Sequence, residues 1–265
     1  MVQLPEEIIP PLNNQAPSEQ KLAQWEDQLW TDGYLVIKNA LGAEATAHFR
    51  KRLETMVPSP GYKVSLVRLF ERGMDFIALL ENEPVLSLMR RVLGPEMHVV
   101  MLQGHRNFKG GTFSNWHADE LHVQRLANVS DEVDYPPVIN TVNCHYYVVD
   151  VDESLGPTQV VPASHRACRD PRPEDGDVPG WRGRGPVSLT CRAGDCVLQS
   201  GQIWHRGAPN ATGRFRLSVV PAYGRRFVAQ RFWPYLNYHL SRDILDRCTP
   251  SQRKLLGEHE IGAYG

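Results

Sequence analysis

Asn115-Trp116-His117-Ala118-Asp119-Glu120, taken with Trp204-His205 much further on, is the stretch on which the reading of this chain turns. Side chains of an extended segment repeat every two residues, so His117 and Asp119 leave the same side of the backbone. A second imidazole, His205, sits in another apolar, strand-like run. Two histidines and one carboxylate make a donor set that suits non-haem Fe(II) and leaves coordination positions open. Alone, a His-x-Asp pair is a weak signal, since such pairs occur by chance and usually sit in turns or surface hydrogen bonds. It becomes a metal site only if the fold returns His205 to the His117–Asp119 strand.

Working outward, the region from His98 onward alternates short β-branched and aromatic runs with Gly, Pro and Asn turns. The runs are His98 to Leu102, Ile139 to Asp150, Thr158 to Val161, Val187 to Leu189, Asp195 to Gln199 and Leu217 to Tyr223. Many short strands without intervening helices predict an antiparallel sandwich or barrel rather than a parallel sheet. Residues 166–186 lack periodicity and carry Arg166, Arg169, Arg172, Arg182 and Arg184, which reads as a long surface loop, either solvated or a lid over an anionic substrate. Residues 121–138 form a second extended loop, expected to gate the same pocket.

The N-terminal third is helical by its spacing. Ser18 is a good N-cap for a helix to Trp30, with Lys21 in place of the Glu that would complete a capping box. Asp32-Gly33 ends that helix and Tyr34-Leu35-Val36-Ile37 reads as a strand. Further helices are expected over Ala43 to Met56 and Asp75 to Leu93, the latter interrupted near Pro84. The expected organisation is one domain over 1–265: an irregular arm (1–17), flanking helices (18–97), a β core (98–223) and a C-terminal helical tail (224–265) with helical spacing over Ser241 to Leu256.

Composition narrows the function classes. The chain has 265 residues, ordinary hydrophobic content of 42% and a formal net charge of −1, which argues against nucleic acid or an anionic membrane as an electrostatic partner. The five cysteines show no CxxC pair and no repeated spacing, so neither a zinc knuckle nor a disulfide framework is expected. Met1 to Asn14 lacks an apolar core of the signal-peptide kind, and no run approaches a membrane span, so a cytoplasmic protein is expected.

After His205, Pro209 to Gly213 makes a turn and the chain returns. The return strand alternates Phe215, Leu217 and Val219 on one face with Arg214, Arg216 and Ser218 on the other. An arginine facing a barrel interior is costly unless paired with an anion, and its forked donors suit a carboxylate. A surface arginine is the competing reading.

The ordered set His117-x-Asp119, Gly156-Pro157-Thr158-Gln159-Val160-Val161-Pro162-Ala163-Ser164-His165, Gly194-Asp195, Trp204-His205-Arg206-Gly207-x-x-Asn210 and Arg216 resembles the phytanoyl-CoA dioxygenase (PhyH-like) branch of the Fe(II)/2-oxoglutarate-dependent oxygenases. Asp32 to Ile37 and the tail Thr249 to Gly257 are similar to that family too. The resemblance spans about residues 20–260. It implies a mainly β fold with flanking α-helices around a double-stranded β-helix (jelly-roll, cupin-like) core. It further implies that His117, Asp119 and His205 are the catalytic Fe(II) ligands and that Arg216 pairs with the distal carboxylate of 2-oxoglutarate. Thr158, Asn107 and Gln103 match positions of polar contacts to that co-substrate. Ala163 departs from the usual glycine, in a turn rather than at a ligand. A carboxylate at Asp119 argues for oxygenation over the halogenation of relatives with a small residue there.

The implied activity uses O2 to oxidise, by hydroxylation first of all, a C–H bond of a small natural-product or amino-acid-like molecule, releasing succinate and CO2. Trp116, Glu120, His145, Tyr147 and Trp204 are candidate substrate contacts by their nearness in sequence to the triad. His145 fits core packing equally well. Competing readings are a cupin-type metal dioxygenase needing no 2-oxo acid, a non-catalytic β-sandwich binding module, and a hydroxylase acting on a peptide.

Overall fold

In the computed structural model the described residues are 8–58, 65–110, 115–120, 136–232 and 239–260. Most of the expected gating loop, residues 121–135, lies outside them. Ser18 opens α1 (Glu19–Asp32): its Oγ accepts from the Lys21 N–H at 3.3 Å, satisfying one of the amides that a helix start leaves free. Gly33 closes the helix in the left-handed region at φ 80°, where any side chain would also strike the His165 ring. The chain continues as β1 (Tyr34–Ile37), α2 (Ala43–Thr55), β2 (Ser65–Leu66), α3 (Met74–Ala78) and α4 (Val85–Leu93). Pro84 separates the last two, because it has no N–H for a helix interior.

Seven strands follow: β3 (His98–Asn107), β4 (Thr141–Tyr147), β5 (Thr158–Val160), β6 (Val187–Leu189), β7 (Cys196–Ser200), β8 (His205–Gly207) and β9 (Arg216–Gly224). The tail holds α5 (Arg242–Leu245) and α6 (Pro250–Leu255), two short helices where one was expected. The break has a local cause. Thr249 and Gln252 form a reciprocal capping box and Pro250 takes the first helical position, which starts a helix but cannot continue one.

The strands make two antiparallel sheets, ordered β1-β7-β4-β9-β3-β2 and β6-β5-β8. The N-terminal third is thus more than a helical flank, since β1 and β2 supply both edges of the larger sheet. That sheet is buried on both faces and its alternation sorts two chemistries. On β4, Val142, Cys144 and Tyr146 join the core beneath the helices, with Leu217, Val219 and Tyr223 of β9. The intervening Asn143, His145 and Tyr147 face the smaller sheet and line a cavity. Each fully buried Leu or Phe on the helix side contributes roughly 1.5–3 kcal/mol. At Gly104, an added Cβ would lie 2.7 Å from Leu53 of α2, so a bare backbone is what lets that helix sit close to β3.

Between the sheets, Tyr147, Leu155, Val160, Leu189 and Val197 seal one end with an apolar cluster. The polar cavity occupies the remaining space. An isolated bridge between His117 and His205 extends the smaller sheet beyond the edge of β8.

Candidate metal centre

His117 and His205 are fastened to each other by their backbones. The His117 N–H donates to the His205 carbonyl at 3.0 Å, and the His205 N–H returns the bond at 2.9 Å. Strand alternation then aims both imidazoles and the Asp119 carboxylate at one point. His117 Nε2 lies 3.6 Å from Asp119 Oδ1 and His205 Nε2 lies 3.5 Å from Asp119 Oδ2. One donor atom from each residue falls within 4.8 Å of the others. Ligands of a single ion at about 2.0–2.2 Å stand roughly 3–4 Å apart, so the spacing suits a shared cation.

The tautomers fit as well. His117 Nδ1 lies 2.7 Å from the Asn115 carbonyl and His205 Nδ1 lies 3.0 Å from the Ile203 carbonyl. A carbonyl only accepts, so each Nδ1 carries the proton and each Nε2 offers a lone pair to the centre. Asn143 donates to Asp119 Oδ2 at 2.5 Å, turning the carboxylate toward the imidazoles. Burial opposes ionisation of Asp119, but the neighbouring His205 and His117 outweigh it and hold its carboxyl well below the usual carboxylate range. Burial lowers the pKa of His205, favouring its neutral, ligating form. Imidazole–imidazole–carboxylate is the donor chemistry of a non-haem Fe(II) site with an open face, and the residues fit that ion.

The cavity beside the triad has a volume of about 280 Å³. Its β4 wall runs from Asn143, beside Asp119, through His145 to Tyr147. At the Tyr147 end lies Arg216, 6% exposed, donating to the Gly156 carbonyl. Among the described residues no carboxylate pairs with it. A guanidinium buried without a counter-charge is costly, and its remaining donors suit a carboxylate brought by a ligand. Tyr147 Oη and Thr158 Oγ1 share a 2.7 Å hydrogen bond next to it. His145 Nε2 is buried with no partner. Burial pushes His145 well below the ordinary histidine range and His105 down to about 4, so the cavity wall presents neutral imidazoles.

The structure sorts the residues singled out from the sequence. His117, Asp119, His205, Arg216, Thr158, Gln103, His145 and Tyr147 all line the cavity. Asn107 does not; it sits opposite Arg216 in the β3–β9 register, buried, with both side-chain amide atoms unpartnered. Trp116, Glu120 and Trp204 turn away. The Trp116 Nε1–H donates to the Asp177 carbonyl at 3.0 Å. The Glu120 carboxylate accepts from Asn140 at 2.7 Å and Thr141 at 3.1 Å. Trp204 is fully buried and its Nε1–H donates to the Arg169 carbonyl at 2.7 Å. Each of the three is adjacent in sequence to a triad residue, so alternation sends it to the opposite face; sequence nearness was the wrong criterion. His105, assigned no role from the sequence, stands two residues beyond Gln103 and shares its face. Asn143, a candidate by its nearness in sequence, lies on the same face as His145 and lines the cavity.

The segment 166–186 is packed at Arg169 and Trp181 and exposed over much of the rest, including Arg172, Arg182 and Arg184. Arg169 is buried and ion-paired to Asp175 at 2.7 Å, and Arg184 pairs with Asp32 at 2.8 Å.

A family model described as phytanoyl-CoA dioxygenase (PhyH) matches residues 30–218. An uncharacterised protein of Mycobacterium tuberculosis, Rv1501, is 26% identical over 227 residues, covering 79% of this chain and 78% of that protein. An ectoine dioxygenase of Stutzerimonas stutzeri is 26% identical over 163 residues, 54% of this chain and 50% of that enzyme. Among solved structures, HygX from Streptomyces hygroscopicus with nickel and 2-oxoglutarate bound has a TM-score of 0.64 at 20% identity, covering 81% of this chain and 89% of its own. The epimerase SnoN, in complex with Fe3+, alpha-ketoglutarate and nogalamycin RO, has a TM-score of 0.61 at 19% identity, covering 83% and 89%. The fold is therefore the double-stranded β-helix that the motifs implied.

Proposed function

The chain belongs to the phytanoyl-CoA dioxygenase (PhyH) family, and from that premise we propose that His117, Asp119 and His205 hold its Fe(II), that Arg216 with Thr158 binds the distal carboxylate of 2-oxoglutarate, and that the enzyme hydroxylates a C–H bond of a small natural-product-like molecule. The enzyme class is a 2-oxoglutarate-dependent dioxygenase using Fe(II), 2-oxoglutarate and O2. That sets aside the dioxygenase without a 2-oxo acid and the non-catalytic module.

One observation carries the residue assignment. The two Nε2 atoms converge on Asp119 at one end of a cavity, while an arginine without a carboxylate partner lies buried at the other. A dicarboxylic 2-oxo acid is the complementary shape, with one end chelating and the other anionic.

The overall balance is substrate C–H, 2-oxoglutarate and O2 giving substrate C–OH, succinate and CO2. Bound iron supplies the redox chemistry of that decarboxylation and oxidation. The protein's own residues do the rest. His117 and His205 present their lone pairs because Asn115 and Ile203 hold the Nδ1 protons. Asn143 fixes the face that Asp119 turns to the ion. Arg216 and Thr158 set the reach and angle of the co-substrate, so its keto acid end meets the metal without search. Neutral His145 adds a polar contact that brings no charge into the cavity.

The substrate class draws support from the neighbours: HygX has been solved with hygromycin B bound and SnoN with nogalamycin RO, both small molecules. A cavity near 280 Å³, shared with 2-oxoglutarate, admits one part of such a molecule at a time.

The test is anaerobic titration of metal-free protein with Fe(II) and then 2-oxoglutarate, watching for the weak visible metal-to-ligand charge-transfer band. The expected band needs both additions and is lost in Arg216→Ala at the same 2-oxoglutarate concentration. A band unchanged in Arg216→Ala moves the carboxylate anchor elsewhere, and one retained in His117→Ala sinks the ligand assignment.

A further inference from the structure

Each triad histidine is preceded by a tryptophan, and both indoles are held by the same segment, residues 166–186. Trp116 donates its Nε1–H to the Asp177 carbonyl and Trp204 donates its own to the Arg169 carbonyl. Arg169 lies with its guanidinium 4.5 Å over the Trp204 ring and is fixed there by two bonds to Asp175, 2.7 and 3.2 Å. Trp181 closes the other side, edge-on to Trp204 at 5.8 Å. Arg206, on the far face of Trp116, stacks at 4.8 Å and is itself anchored to Gln159.

The segment is tied down at its base as well. Arg184 pairs with Asp32 at the end of α1, Ala163 N–H donates to the Asp32 carbonyl, and Ser164 Oγ accepts from the Trp204 N–H at 2.8 Å. On the His117 side, the bonds among the described residues are the backbone bridge at His205, those of Glu120 to Gly201, Asn140 and Thr141, and those of Asp119 to Asn143 and Arg231. All of them act at His117 or after it; ahead of it, the Trp116 bond to Asp177 is the side-chain hydrogen bond that ties the chain to another segment. A ligand set needs positions good to about 0.5 Å.

We infer that the segment 166–186 is a brace that sets the angle between the two histidine-bearing backbones, with Arg169 and Trp116 as positioning residues for the metal centre. This rests on the ligand assignment proposed above. The physical argument is that a metal-bound histidine is only as rigid as the backbone behind it. Here that backbone is stiffened from outside the cavity, through tryptophans that alternation points away from the ion. Charge-assisted bonds from Arg169 to Asp175 and cation–π contact with Trp204 favour one arrangement of the segment over many.

The probe is Co(II) alone, added anaerobically to metal-free protein, because its d–d absorption reports coordination geometry as well as occupancy. Trp116→Phe keeps a smaller aromatic ring beside Arg206 and removes the indole N–H that bonds Asp177; Arg169→Ala removes the stack and the ion pair. Both are expected to raise the Co(II) Kd, by roughly 10-fold for Trp116→Phe and up to about 100-fold for Arg169→Ala, and to shift the d–d envelope. Turnover is expected to fall mainly in kcat, with little change in KM for 2-oxoglutarate, because Arg216 lies at the other end of the cavity. Arg169→Lys, which keeps charge without the planar stack, should fall between.

A merely structural role predicts something else: a lower Tm with wild-type Co(II) affinity and spectrum in the folded protein. That result in Trp116→Phe overturns the brace, including the case where Arg169→Ala fails to fold. His117→Ala separates the two readings. If it binds Co(II) as tightly as wild type, the ligand assignment itself fails; if it loses the ion while Trp116→Phe keeps it unchanged, only the brace fails.

Discussion

Asn143 donates its side-chain amide to Asp119 Oδ2 at 2.5 Å, from a strand of the larger sheet to a segment anchored on the smaller one. The bond spans the space between the sheets and orients the one charged member of the triad. Asn143→Ala should weaken Ni(II) or Fe(II) binding by roughly 10- to 100-fold while keeping all three ligands. Calorimetric titration with Ni(II) checks it. Wild-type affinity would mean the histidines alone orient the carboxylate.

Arg216 is expected to set co-substrate affinity and little else. Losing a charge-assisted contact of roughly 2–3 kcal/mol raises the KM for 2-oxoglutarate by about 30- to 150-fold in Arg216→Ala. Arg216→Lys should be intermediate, because an ammonium keeps the charge but not the fork. Succinate formation against 2-oxoglutarate concentration measures both, with Fe(II) affinity as the control that should stay within a few fold.

Ala163 adopts φ 64°, in the left-handed region. That conformation costs an L-residue roughly 1–2 kcal/mol, against about 0.5–1 kcal/mol of extra chain entropy that a glycine would lose on folding. Ala163→Gly should therefore raise Tm slightly, by up to roughly 2–4 °C. A fall in Tm by thermal unfolding would show that the Ala163 methyl contributes packing worth more than the strain.

His165 has its Nε2 on the Trp30 carbonyl at 3.0 Å and its Nδ1 buried without an acceptor. Burial pushes its pKa down to about 4, with Arg166 and Arg184 opposing protonation and Asp32 favouring it. The sign follows from the depressed value. The unfolded chain takes the proton near pH 6.5, the folded chain only near 4, so the contribution is complete above about 6.5 and is lost as pH falls toward 4. The loss is at most about 3 kcal/mol. His165→Gln, which retains a donor to Trp30, should show a shallower fall of Tm between pH 7 and pH 4.5; parallel slopes would assign the acid sensitivity to other groups.

Much of the candidate site was legible in the sequence. His117, Asp119 and Arg216 were readable because period-two alternation is a local property of extended backbone, and the spacing of His205 to Arg216 encodes a hairpin return. The same rule, applied strictly, excludes Trp116, Glu120 and Trp204 from the cavity and admits His105 through Gln103. Those residues were misjudged where nearness in sequence replaced alternation. Residues 166–186 were opaque for a different reason. Their order comes from irregular local contacts such as Arg169 to Asp175 and from distant ones such as Arg184 to Asp32 and Trp116 to Asp177, and no periodicity signals either.

By itself, then, the sequence determined the antiparallel β core, the N-terminal helices with the Ser18 cap, and the residue types of the candidate metal set, since each depends on short-range spacing and side-chain type. The tertiary structure decided which side chains share the cavity, that Arg216 is buried with no carboxylate partner among the described residues, and that Arg169 and Trp181 of a largely exposed, arginine-rich segment pack against Trp204. Those outcomes depend on sheet register and on contacts between residues many positions apart, and neither is written in the local order of the chain.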